Sequence, residues 1–130
     1  MKSISVGNAM ACEYIAPGES GKLNIINAYS GNIQVMNFPA TFPLAFYIEL
    51  LPDGSQKREM KINVFVGTKS IANASIEIDE IEPDGVGVIA LPALKIEFEK
   101  PTEIRVQISC EGFRKTVAIK KKVLAAPLSK

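Results

Sequence analysis

The chain contains no histidine and no tryptophan. Without an imidazole, Ser-His-Asp and Cys-His nucleophile systems, His-ligated metal centres and His general bases are excluded by composition. Carboxylates, lysine or tyrosine could support other catalysis, yet no motif gathers them. The expectation is therefore not an enzyme: no catalytic, cofactor-binding or metal residue is assigned. An excess of one charge is missing too. The 15 Lys and Arg against 14 Asp and Glu leave +1, too little to draw the whole surface to nucleic acid or an anionic membrane. Neither is an expected partner.

Long apolar runs are also absent. No stretch approaches the roughly 18 apolar residues of a membrane span. Near the N-terminus, Ser3, Ser5, Gly7 and Asn8 interrupt the run of about 7–15 apolar residues that a secretory leader needs. A cytoplasmic protein is expected. Its only cysteines are Cys12 and Cys110. An even count permits one bridge, but without an export signal the expectation is free thiols packed as small core residues.

At 130 residues the chain suits a single core. The expected domain covers 1–124, with 125–130 a loose tail; no repeat, linker or low-complexity segment interrupts it. Period-two alternation is the main signal. In "EIRVQISCE", Ile104, Val106, Ile108 and Cys110 share one face, while Glu103, Arg105, Gln107, Ser109 and Glu111 share the other. The same arithmetic turns Leu94, Ile96 and Phe98 inward, then Met60, Ile62, Val64 and Val66, then Ile76 and Ile78. It also turns Leu44, Phe46, Ile48 and Leu50 inward. Residues 4–15 and 22–29 read as two further strands, with Gly7-Asn8 a bulge, and 115–124 as the last.

Turn chemistry lies between them. Pro52-Asp53-Gly54 and Pro83-Asp84-Gly85 predict hairpins. "PATFP", between Pro39 and Pro43, predicts a stiff crossing between sheets, and "GTKSIANA" (67–74) one helical turn. About eight short strands in one small domain spell an all-β, antiparallel β-sandwich, immunoglobulin-like or C2-like. In the last strand, alternation puts Val117, Ile119, Lys121 and Val123 on one face. An unpaired ammonium in a core is costly, so Lys121 is expected at the sheet's end, snorkelling outward, or at a bulge.

Three constellations invite a functional reading. "APGESGKL" (16–23) has the Gly-Lys of a phosphate loop, but Ala16 replaces the first Gly and Leu23 the closing hydroxyl. Strand-like "LNIINAY" follows where the chemistry needs a helix, so a hairpin turn is expected. The acidic run Glu77, Asp79, Glu80, Glu82 and Asp84, with Asp53, raises calcium, which prefers six to eight oxygen ligands. A solvated strand face running into a turn is the simpler reading. The basic cluster Arg114, Lys115, Lys120, Lys121 and Lys122 lacks interleaved aromatics beyond Phe113, against stacking on single-stranded nucleic acid.

Two resemblances bear on this. An eight-strand sandwich of this size resembles, in outline, the calcium- and lipid-binding C2 domains. More specifically, Cys12-Glu13-Tyr14, then Gly21-Lys22-Leu23, then Phe38-Pro39-Ala40 is similar to the opening of an uncharacterised bacterial family of small β-sandwich proteins. The likeness covers the first third; the remainder agrees in strand-turn rhythm. It implies the fold and a bacterial cytoplasmic setting, and carries no activity. The expected function is a non-catalytic β-sandwich module acting through protein–protein contact, self-association included. The alternative is a small-ligand or calcium-dependent binding module using the loops near Asp53 and Asp79–Asp84.

Overall fold

Strand-forming alternation is realised along almost the whole chain. The computed structural model describes residues 2–127. Its strands are β1 (Lys2–Ser3), β2 (Val6–Pro17), β3 (Leu23–Ala28), β4 (Ile33–Val35), β5 (Ala40–Leu50) and β6 (Arg58–Val66). They continue as β7 (Lys69–Ile78), β8 (Gly87–Phe98), β9 (Thr102–Ser109), β10 (Phe113–Arg114) and β11 (Thr116–Ala125). One sheet runs β4-β11-β9-β6-β7, the other β3-β2-β5-β8, and β1 pairs with β10 apart from both. The fold is a β-sandwich of eleven strands rather than eight. It is antiparallel except where β1 meets β10 and β4 meets β11.

The core forms where the inward faces meet. Leu44, Phe46, Ile48 and Leu50 of β5 and Ile89 of β8 pack in one cluster with Met60, Ile62 and Val64 of β6 and Ile104, Val106 and Ile108 of β9. Each such side chain contributes about 1.5–3 kcal/mol by leaving water. No polar or charged residue is buried among those described.

Several expectations hold in detail. The β2–β5 register slips between Val6 and Ala9, which is the bulge at Gly7-Asn8. In β11 a slip between Val117 and Ile119 turns Val117 outward, leaving it 46% exposed, while Ile119 and Val123 stay buried. Lys121 lies half-buried between them and snorkels: its Nζ donates to the Tyr29 carbonyl at 2.9 Å.

Others are corrected. The Pro52-Asp53-Gly54 and Pro83-Asp84-Gly85 segments do not close hairpins. Each carries the chain from one sheet to the other, β5 to β6 and β7 to β8. Both connections are longer than the two-residue loops that fold strands directly back. "PATFP" is not a crossing, because residues 40–43 already belong to β5. β2 stops pairing with β5 at Cys12–Ala45, so Pro43 meets no ladder partner on that side. Residues 67–74 are not helical: Gly67, at φ +62, turns β6 into β7, and Ile71 and Ala72 pack on the core. The final strand includes Ala125, and the Ala126 N–H donates to Val35 O at 2.7 Å. Residues 128–130 of the expected tail lie outside the described residues.

Candidate functional site

β2 outruns its sheet. It pairs with β5 only as far as Cys12–Ala45, but with β3 from Cys12–Ala28 to Pro17–Leu23. Residues 13–28 therefore form a two-stranded ribbon closed by the Gly18–Lys22 turn. The Gly18 N–H donates to Lys22 O at 2.7 Å and the Lys22 N–H to Glu19 O at 3.1 Å. Ser20 and Gly21 take the left-handed conformation, at φ 55° and 75°. A strand follows, not a helix. The amides of Gly18 and Lys22 are consumed in the turn, so the segment is a hairpin turn without the strand-to-helix geometry of a phosphate loop.

Large apolar side chains decorate this ribbon without joining the core. Tyr14 and Ile26 face each other across the strands at 49% and 41% exposure; Ile15 faces Ile25, and Leu23 is 39% exposed. None of the five belongs to the core cluster. A two-stranded ribbon gains little stability by itself in water; here Ile15 and Ile25 are half-buried, while Tyr14, Leu23 and Ile26 stay exposed.

Gly21, Lys22, Leu23 and Ile25 share a cleft of about 500 Å³ with Asn8, Met10, Tyr47, Glu49 and Val88 of the sheet's outer face. The ribbon thus bends back over that face. Polar contacts hold the bend. Asn27, at φ 54°, donates through Nδ2 to Glu13 Oε1 at 2.7 Å. The Tyr29 N–H donates to Ala11 O at 2.9 Å and its hydroxyl to Pro43 O at 3.2 Å. Burial, with Glu13 and Cys12 nearby, pushes the Tyr29 pKa up to about 12, keeping the hydroxyl a donor. In the cleft, the Tyr47 hydroxyl donates to Glu49 Oε2 at 2.7 Å; that bond first, then burial, raises its pKa. Cys12 is fully buried beside Ala45, and burial raises its thiol pKa, which suppresses the nucleophilic thiolate. Both thiols are unpaired.

The acidic loops do come together. Pro52, Asp53 and Gly54 border one cleft with Glu80, Ile81, Glu82 and Pro83. Asp53 is already engaged: Oδ1 accepts the Ser55 N–H at 2.9 Å and Oδ2 accepts Arg58 at 2.8 Å. Burial would raise its pKa, but those hydrogen bonds outweigh burial and hold the carboxyl below its usual range. Among the described residues, no three side chains of metal-binding type converge. The basic cluster disperses. Lys120 pairs with Glu103 at 3.7 Å, Lys121 caps the Tyr29 carbonyl, and Lys115 shares a groove with Lys57, Lys61 and the half-buried Cys110.

Sequence reading missed the ribbon as a site, although a signal was present. Adjacent Ile25 and Ile26 point to opposite faces of a strand, so in a two-layer sandwich only one of them can face the space between the sheets. No helix among the described residues is long and apolar enough to cross a membrane. The sequence matches no family model, and no curated protein matches it at significant similarity.

Proposed function

We propose that this protein is a non-catalytic β-sandwich module that works by protein–protein contact through the β2–β3 ribbon, in the reducing cytoplasm of a bacterium. One observation carries the reading. Tyr14, Leu23 and Ile26 are exposed, and Ile15 and Ile25 half-buried, on a ribbon that adds nothing to the core. Leaving such side chains in water forgoes about 1–3 kcal/mol each, which a docked protein surface recovers. The two unpaired thiols, one buried, suit a reducing compartment.

The test is contact mapping in the producing cell. A photo-reactive residue replacing Ile26 is compared with one replacing Lys122, exposed on the final strand of the other sheet. Protein adducts from position 26 and few from position 122 are expected. Equal yields from both positions, or none from position 26, would remove the ribbon as the docking surface.

A further inference from the structure

Each sheet of an open sandwich ends in strands whose outer N–H and C=O groups seek partners, and proteins blunt such edges with charge, proline, bulges or brevity. Among the described residues, three of the four edges are blunted. β4 spans three residues; β7 carries Lys69 and Glu77; β8 contains Pro92, Lys95 and Glu97 and a register slip opposite Leu44–Phe46. β3, "LNIINA", has no charge and no proline, and five of its six residues are exposed. The left-handed Asn27 ends the straight run, leaving Leu23–Ile26 as a free, neutral, apolar edge.

We propose that β3 is the self-association edge of this protein: two copies pair their β3 strands antiparallel about a two-fold axis, joining the four-stranded sheets into one of eight strands. The inference rests on the protein-contact reading above and names its partner. Two arguments select a second copy. The first is electrostatic. β3 offers no charge with which a charged partner strand could pair, whereas a second β3 sets apolar side chains beside its own Leu23, Ile25 and Ile26. The second is geometric. In an antiparallel pair related by a two-fold axis, side chains directly opposite must share a face, so the axis passes between one residue and its own copy. Centred on Ile25, the pairing sets Ile25 against Ile25 of the second copy and Leu23 against Asn27. Because Ile15 already faces Ile25 within each ribbon, four isoleucines then line up as Ile15, Ile25, Ile25, Ile15 across the joined sheet. Aliphatic β-branched neighbours of this kind stabilise sheets.

The test uses the whole chain and the self-facing position. Sedimentation and light scattering across concentrations, to about 1 mM, should show wild type reaching a dimer. Ile25→Lys and Ile25→Glu, each alone, put like charges face to face and should weaken dimerisation at least about tenfold. Mixed in equal amounts, the two variants should dimerise again, because the ammonium introduced in one then faces the carboxylate introduced in the other. Unchanged circular dichroism and melting cooperativity would show that each variant folds. The proposal is overturned by a wild type that stays monomeric throughout, by either variant dimerising like wild type, or by a mixture that remains monomeric. A monomeric wild type that still forms adducts with another protein from position 26 would overturn self-pairing while leaving the docking reading intact.

Discussion

Asp53→Asn isolates the ion pair that clamps the β5–β6 crossover. In the wild type the Asp53 and Arg58 side chains are 13% and 11% exposed, and Nη1–Oδ2 is 2.8 Å. The Arg58 guanidinium also lies over the Phe113 ring, 5.0 Å from its centroid. The crossover, β6 and β10 thus meet at one side chain. Asparagine keeps the shape and can still accept the Ser55 N–H, so the substitution removes charge with little change in packing. Exposed ion pairs are worth about 0–1 kcal/mol, and breaking a fully buried pair costs about 3–5 kcal/mol. This pair lies between those limits, and a charge-assisted hydrogen bond contributes about 1.5–3 kcal/mol. A loss of about 2 kcal/mol is expected at pH 7, or roughly 6–8 °C in Tm for a chain of this length.

Acidification supplies the sharper test. The folded Asp53 pKa lies below its unfolded value of about 3.9. On acidification the unfolded state therefore takes up the proton first. The pair's contribution is full above about pH 4–5 and is lost as pH falls through the folded pKa. Urea denaturation of both proteins from pH 7 downward should show the gap narrowing below about pH 4 and nearly closing once Asp53 is protonated. A gap independent of pH, or one under about 0.5 kcal/mol at pH 7, would refute the clamp.

Three further outcomes are expected. Phe46→Ala empties a fully buried site on β5 and should cost about 3–5 kcal/mol by denaturant titration; a loss under about 2 kcal/mol would mean the sheets close over the gap. Gly21→Ala meets no atom within 4 Å but must hold φ +75°, so it should destabilise by about 1–2 kcal/mol; no change in midpoint would show that the turn relaxes. In the folded protein a small thiol reagent should modify Cys110, half-buried on its groove, well before fully buried Cys12. Mass spectrometry of quenched time points checks the order, and equal rates would mean the bend at Cys12 opens readily.

Much of the strand content was legible because the side-chain period of a strand is local. Ile104, Val106 and Ile108 alternate with charged and polar residues, and the structure buries all three. The Gly7-Asn8 bulge and the snorkelling Lys121 were equally readable, since each follows from one residue's conflict with its neighbours. Residues 67–74 misled because Gly, Thr, Ser and Asn favour turns locally. Pairing with β6 overrides that preference, as tertiary contact does for weak strand propensities.

Composition alone excluded histidine chemistry, and alternation alone made the chain all-β with a core of named residues. Which strands became neighbours was decided only by the tertiary structure. Pro-Asp-Gly signals a bend locally, but whether the next strand returns to its own sheet or crosses to the other is chosen by long-range pairing. The same holds for the ribbon. "LNIINA" reads as a strand in isolation, but its exposure depends on where β5 stops pairing with β2 at Cys12–Ala45. Beyond that point no third strand among the described residues pairs with the ribbon, and β3 is left as an edge with its outer backbone groups free.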